Sequence, residues 1–281
     1  MDLPIFIPNI FVFGVLLTSK VLKGYANKRP YIFGAMDDVD CAVACHVNPS
    51  LQVGKIGVMA GGINANSMGI VVEFFGKSAH ANAPQKGVDA IRMGVEAYTA
   101  MQMVVAREVT PQEPCVLNVG AFNAGQTNNV ICDYAKLFLS LRTWSDELTE
   151  TMERRIRQTC EGVAQMCGGT AKVTVTKLLP YVKNDGTMLC QLRKTAAKVL
   201  GEEHIRPIAR SMGGEDFSFI SRKKPCVFFR LGTTNPDDPE DTSYPVHNVH
   251  FDADERCFAT GISVFVHFVL DNQDGIDFKE A

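Results

Sequence analysis

The sequence carries no large excess of either charge. Its 28 Lys and Arg stand against 31 Asp and Glu over 281 residues, a net charge of −3. A protein held to nucleic acid through phosphate contacts needs a basic face, so no nucleic-acid partner is expected. No Cys-x-x-Cys pair occurs, and the nine cysteines are odd in number and spread from Cys41 to Cys257. That pattern opposes a secreted disulfide framework and points to reduced, buried thiols in a cytoplasmic protein. There is one Trp, but seventeen Phe and six Tyr are enough to fill cores. No repeat period is present. The longest apolar run, MDLPIFIPNIFVFGVLL, has no Lys or Arg before Lys20 to open a signal peptide. Pro4, Pro8 and Asn9 interrupt it well short of the roughly 20 residues a membrane helix needs. It reads as one buried strand, IFVFGVLL, and no membrane partner is expected.

Further along, DCAVACHV reads as a short buried strand ending at His46, with Asn48, Pro49 and Ser50 as turn residues. MGIVVEFFG is a strand and GKSAHANAP a turn. Residues 86–107 place Val88, Ile91, Val95, Tyr98 and Met101 at spacings of three and four, an amphipathic helix. CVLNVGAF is a strand. YAKLFLSLRTW alternates Ala135, Leu137, Leu139 and Leu141, a strand with one exposed face. Ser145 caps a second helix that ends at Cys167-Gly168-Gly169, and AKVTVTKL closes the unit. The order over 67–178 is β-α-β-β-α-β, the ferredoxin-like pattern. Residues 179–281 alternate helix and buried strand: a helix over 185–200, the strand CVFFRLG, an acidic loop over 236–244, and a last helix capped by Asp252 or Asp254. With residues 1–66 they form an α/β layer around the inserted unit.

Several residues could carry chemistry. His46 ends a buried strand, and ligands bind at strand ends in α/β sheets. His247 and His250 are close enough in sequence to share a metal. Glu215 and Asp216 are adjacent carboxylates after two glycines, although Asp216 equally suits a helix N-cap. His80 sits among small residues that leave it approachable. Arg142 ends the alternating strand, and Asn129 lies in the polar loop before it.

GAMDDVDCAVACHVNPSLQVGKIG, GKSAHANAPQKGVDA, GQTNNVICDYAKLFLSLRT, GGEDFSFI and YPVHNVHFDADE occur in this order over roughly residues 34–270. As a set they resemble the aminoacylase-type metallopeptidases (peptidase family M-20), most closely the branch of hippurate hydrolases, N-acyl-amino-acid amidohydrolases and auxin-conjugate hydrolases. The resemblance implies a zinc-peptidase-like α/β catalytic layer, here partial, with an inserted ferredoxin-like lid and dimerisation domain. It implies a small N-acyl amino acid or amide substrate, and a site with two divalent metals, zinc or manganese. His46 and His247 match metal ligands. His80, Asn129 and Arg142 match lid residues that contact substrate, often across a homodimer interface, and Glu215 lies in a motif close to the metals.

The resemblance also implies three further ligands and the general base, from a His-x-Cys-Gly-His-Asp type motif and a Glu-Glu pair. Neither occurs upstream of His46, and Val21-Leu22 stand near where the pair belongs. Cys132 replaces a proline usual in the family. The expectation is a truncated copy of an amidohydrolase with its catalytic base missing. The alternative is a non-catalytic dimerising or ligand-binding remnant.

Overall fold

The computed structural model describes residues 10–14, by backbone alone, together with residues 39–238 and 243–278. The chain divides into two compact units, one of Met1–Ile63, Val182–Arg210 and Asp216–Ala281, the other of Asn64–Tyr181 and Ser211–Glu215.

The first unit is built on a mixed sheet ordered β1-β2-β13-β3-β12, from Ile10–Gly14, Cys41–Gln52, Cys226–Thr234, Ile56–Val58 and Ile205–Pro207 respectively. The apolar run at the amino end is thus a strand where it is described, parallel to β2 with Ile10 opposite Cys41. β2 and β13 are parallel, Cys226 beside Ala42 and Arg230 beside His46. Their side chains alternate between two cores, as strands covered on both faces must. Val43, Val227 and Phe229 pack under helices α3 (Gly186–Leu200) and α5 (Arg256–Asp271). Ala42, Ala44 and Phe228 pack on the opposite side with Phe217 and Ile220. A short pairing of β4 (Gly61–Asn64) with β11 (Val182–Asn184) flanks this sheet.

Asn48, Pro49 and Ser50 do not form the expected turn, because β2 continues through them to Gln52. β13 runs alongside as far as Thr234, whose hydroxyl donates to the Pro49 carbonyl. A proline is tolerated there because the register breaks between Gly232 and Thr234.

The second unit is a four-stranded antiparallel sheet ordered β10-β5-β9-β7: Thr170–Leu179, Asn66–Phe75, Tyr134–Thr143 and Cys115–Ala124. Helices α1 (Ala90–Glu108) and α2 (Asp146–Met166) cover one face. Chain order is β-α-β-β-α-β and spatial order is the ferredoxin-like one. Ala135, Leu137, Leu139 and Leu141 are all buried against the helices. Ser145 caps α2 as its sequence predicts, its Oγ accepting from the Leu148 amide at 3.0 Å. Gly168, at φ 79°, supplies the left-handed residue that ends the helix. β6 (Ala79–His80) and β8 (Val130–Ile131) add a two-residue ladder.

α1 turns a different face inward from the one its large residues suggest. Its buried residues are Ala90, Met93, Gly94, Ala97, Met101 and Val104, while Ile91, Val95 and Tyr98 are exposed. The helix carries two apolar stripes, and the one with small residues lets it sit close on the sheet, with Gly94 against the Phe122 ring.

The nine cysteines are free, five of them buried, but Cys190 is exposed and Cys115, Cys132 and Cys167 are half-buried. Burial pushes the Cys45 thiol to about 12 and the Cys41 thiol to about 11, which keeps both protonated and unreactive. No helix among the described residues is long and apolar enough to cross a membrane.

Candidate functional site

In the first unit His46 and Arg230 lie side by side midway along β2 and β13, so His46 does not end its strand as the sequence suggests: pairing with β13 carries β2 on to Gln52. His46 is half-buried, and its Nδ1 lies 2.8 Å from the Val47 carbonyl. Burial holds its pKa below the usual histidine value, the charges of Arg230 and His247 lower it further, and the Val47 bond and Asp216 oppose them. His46, Arg230, His247 and Asp216 therefore share one electrostatic neighbourhood. Arg230 also lies over the Phe228 ring, 5.1 Å from its centroid.

His247 is exposed in the loop before α5 and is the one non-glycine residue with positive φ among the described residues, at 70°. The loop is tied by Asn248, whose amide donates to the Pro245 carbonyl at 3.1 Å and whose Oδ1 accepts from the His250 amide at 2.9 Å. The His250 ring packs against Tyr244, centroids 5.4 Å apart. Of the two histidines, the structure couples His247 to His46. Left-handed backbone at a non-glycine residue carries local strain. His247→Gly is accordingly expected to leave stability within about 0.5 kcal/mol, relief of φ offsetting added chain entropy, whereas β-branched His247→Val costs about 1–2 kcal/mol. Urea unfolding of the two variants measures the difference.

Asp216 corrects its sequence reading. The helix α4 (Ser218–Ser221) has Phe217 at its N-cap position and no side-chain capping bond, so Asp216 does not cap it and acts on His46 instead. Arg230 went unnoticed in the sequence, although an arginine inside the otherwise apolar CVFFRLG was its signal.

The second unit holds the other four residues in two places. Arg142, half-buried on the sheet face away from the helices, pairs across β5 and β7 with Ser67 and Val116. Its Nη1 approaches the backbone of Gly214, where an added Cβ would stand 3.3 Å from it. Glu215, next in the chain, is buried. His80 and Asn129 meet through the short ladder: His80 is opposite Val130, and the Ala81 amide donates to the Asn129 carbonyl at 3.0 Å. His80 Nδ1 accepts from the Asn82 amide at 3.3 Å, and Thr127 donates to Asn129 Oδ1 at 2.9 Å. This ladder lies beyond the Phe75–Tyr134 end of the sheet, since Gly76 bonds the Asp133 carbonyl. Arg142 lies at the other end of β9. Eight residues of strand, at about 3.4 Å each, separate the two places by roughly 27 Å.

The donors among the described residues do not complete a metal centre. Among the described residues no group of three or more His, Cys, Asp or Glu side chains is placed to hold a metal ion. A zinc site takes about four ligands, and the Arg230 cation beside His46 opposes a second positive charge.

Residues 19–271 match the profile of Peptidase family M20/M25/M40. The chain belongs to this family. Relatives include an uncharacterized hydrolase of Sinorhizobium fredii, 31% identical over 77% of this chain and 54% of its own length, and an N-acetylcysteine deacetylase of Bacillus subtilis, 29% identical over 84% and 60%. An N-acetyldiaminopimelate deacetylase of Oenococcus oeni is 30% identical over 88% and 64%. The chain thus spans little more than half to under two thirds of these relatives. The fold matches a crystal structure from Staphylococcus aureus with a TM-score of 0.78 at 25% identity, covering 85% of this chain and 62% of that one. It also matches a dinuclear metal binding peptidase of the M20 family from Bacillus subtilis, TM-score 0.72 at 24% identity, over 89% and 62%.

Proposed function

We propose that this chain recognises N-acyl amino acids or related amide conjugates, and that its described residues bind such a substrate without supplying the hydrolytic centre. The observation that carries this reading is the contrast between the two groups of residues. Arg142 lies beside the Gly214–Glu215 segment and His80 lies with Asn129, two polar groups suited to a substrate's carboxylate and carbonyl, while His46 and His247 find no third donor among the described residues. A guanidinium suits the substrate carboxylate through paired charge-assisted bonds, and His80 and Asn129 suit the acyl carbonyl. The deacetylase names of the relatives support the same substrate class.

One copy cannot offer both places to a small molecule when roughly 27 Å separates them. The reading therefore includes a homodimer in which Arg142 of one copy and His80 of the other face one substrate. β7 is an edge of its sheet, and Ile91, Val95 and Tyr98 lie exposed on α1, which packs beside it. An open edge next to an apolar helix stripe is a surface that a second copy can extend and cover. The reduced thiols agree with a cytoplasmic setting.

The test loads the full chain with zinc or manganese, removes excess metal, and measures metal content, binding of N-benzoylglycine by calorimetry, and hydrolysis. Saturable binding with far less than one retained metal per chain and no turnover is expected. About two metals per chain, lost in His46→Ala, with chelator-sensitive hydrolysis, would replace this reading with that of a complete metalloenzyme. The strained φ of His247 favours that second reading.

A further inference from the structure

At the amino end of β13, a cleft of about 310 Å³ is lined by Lys183, Asp185, Ser221, Arg222, Lys223, Lys224, Pro225 and Cys226. All of these belong to the first unit. Four cations and one carboxylate surround this space in a chain whose net charge is −3, and Arg222-Lys223-Lys224 is the longest run of consecutive cations in the sequence. The carbonyls at the end of α4 are met by backbone amides. The backbone amide of Arg222 already takes the Ser218 carbonyl, and those of Lys223 and Lys224 take that of Ile220. Asp185 is engaged at the start of α3, its Oδ1 accepting from the Met188 amide at 3.0 Å. Burial pushes the Cys226 thiol to about 12, so it adds no negative charge. Pockets for uncharged small molecules are mostly apolar, and this one is not.

We propose that this cleft binds a phosphate-bearing anion of at least two phosphoryl groups, whether free or on a nucleoside. Cations that line one cleft raise the local concentration of such an anion, and Lys183 and Lys224 are the two argued to pair with its oxygens. The site lies about 13 Å along the strand from the residue paired with His46, four positions at strand rise, and does not depend on the reading of the substrate site.

Calorimetric titration of the full chain with inorganic pyrophosphate, and in parallel with a nucleoside diphosphate, tests this at low and high salt. Lys183→Gln and Lys224→Gln are each expected to weaken pyrophosphate binding by up to about fivefold and the double variant by more. Raising the salt should weaken it further, while Lys172→Gln, in the other unit, should leave it unchanged. Equal affinity for both probes assigns recognition to the phosphoryl groups, and tighter nucleotide binding adds the nucleoside. Absence of saturable binding up to about 10 mM pyrophosphate, or binding indifferent to both lysines in variants with unchanged circular dichroism, overturns the proposal.

Discussion

Asn184→Ala is expected to lower the unfolding free energy of the first unit by about 4 kcal/mol, read from the shift in urea midpoint. Asn184 is buried, and its one side chain serves three backbone groups. Nδ2 donates to the carbonyls of Met59 and Phe228, both at 2.9 Å, and Oδ1 accepts from the Phe228 amide at 2.7 Å. β13 turns one set of its backbone groups to β2, and at Phe228 the asparagine takes the place of a neighbouring strand on the other side. Alanine would leave the Phe228 amide and carbonyl unpaired in a core, and each such group costs about 1–3 kcal/mol. Domains are stable by only about 5–15 kcal/mol, so the variant should be visibly less soluble at growth temperature. Asn184→Asp discriminates the cause, because it keeps the acceptor and turns the donor into a second acceptor facing two carbonyls. A buried carboxyl so placed has a raised pKa, so the Asp variant should be more stable in mild acid and lose stability as pH rises through that pKa. A loss below about 1 kcal/mol for the Ala variant would show that water replaces the amide.

The role of Asn184 was not legible in VKNDG, where an asparagine before a helix reads as a loop residue. The same limit explains what else the sequence hid. Local periodicity fixes what a residue's neighbours in the chain decide, and on that basis the alternation from Ala135 to Leu141, the Ser145 cap and the Gly168 stop were all readable. Periodicity failed at α1, where two apolar stripes compete. The sequence shows both, and only the packing of Gly94 on Phe122 chooses the inner one. The candidate site divides in the same way. His46 could be singled out because it ends an apolar run. The register that sets Arg230 beside it joins segments 184 positions apart, and no local signal carries that. Asp216 suits a cap as well as a site in the sequence, because Gly-Gly-Glu-Asp before an apolar stretch looks like a helix start. In the structure that helix begins without a side-chain cap.

Arg142→Ala is expected to weaken binding of N-benzoylglycine by about 10- to 100-fold, the range of a lost charge-assisted pair. Arg142→Lys should recover little, since a point charge cannot reproduce the planar two-pronged contact. Arg142 is only half-buried and its neighbours Leu141 and Thr143 carry the packing, so the fold should survive either change. Gly214→Ala probes the same contact without touching the arginine. Its Cβ would lie 3.3 Å from Arg142 Nη1 and 2.7 Å from the flexible end of Leu179, so the guanidinium must shift and binding should fall several-fold. N-benzoylglycinamide, which lacks the carboxylate, supplies the control: it should bind weakly and equally to the native chain and to Arg142→Ala. If the amide loses as much affinity as the acid, Arg142 acts through the fold and not on the carboxylate. The distance between Arg142 and the His80–Asn129 ladder then makes a stronger demand. His80→Ala and Arg142→Ala should each bind poorly alone. Mixed in equal amounts and allowed to exchange partners, they should regain about a quarter of the native sites, because half the dimers are mixed and one site in each mixed dimer inherits both intact residues. No recovery in a mixture shown to exchange subunits would place both residues on one substrate only within a single copy, a geometry the length of β9 forbids, and would remove His80 from the site.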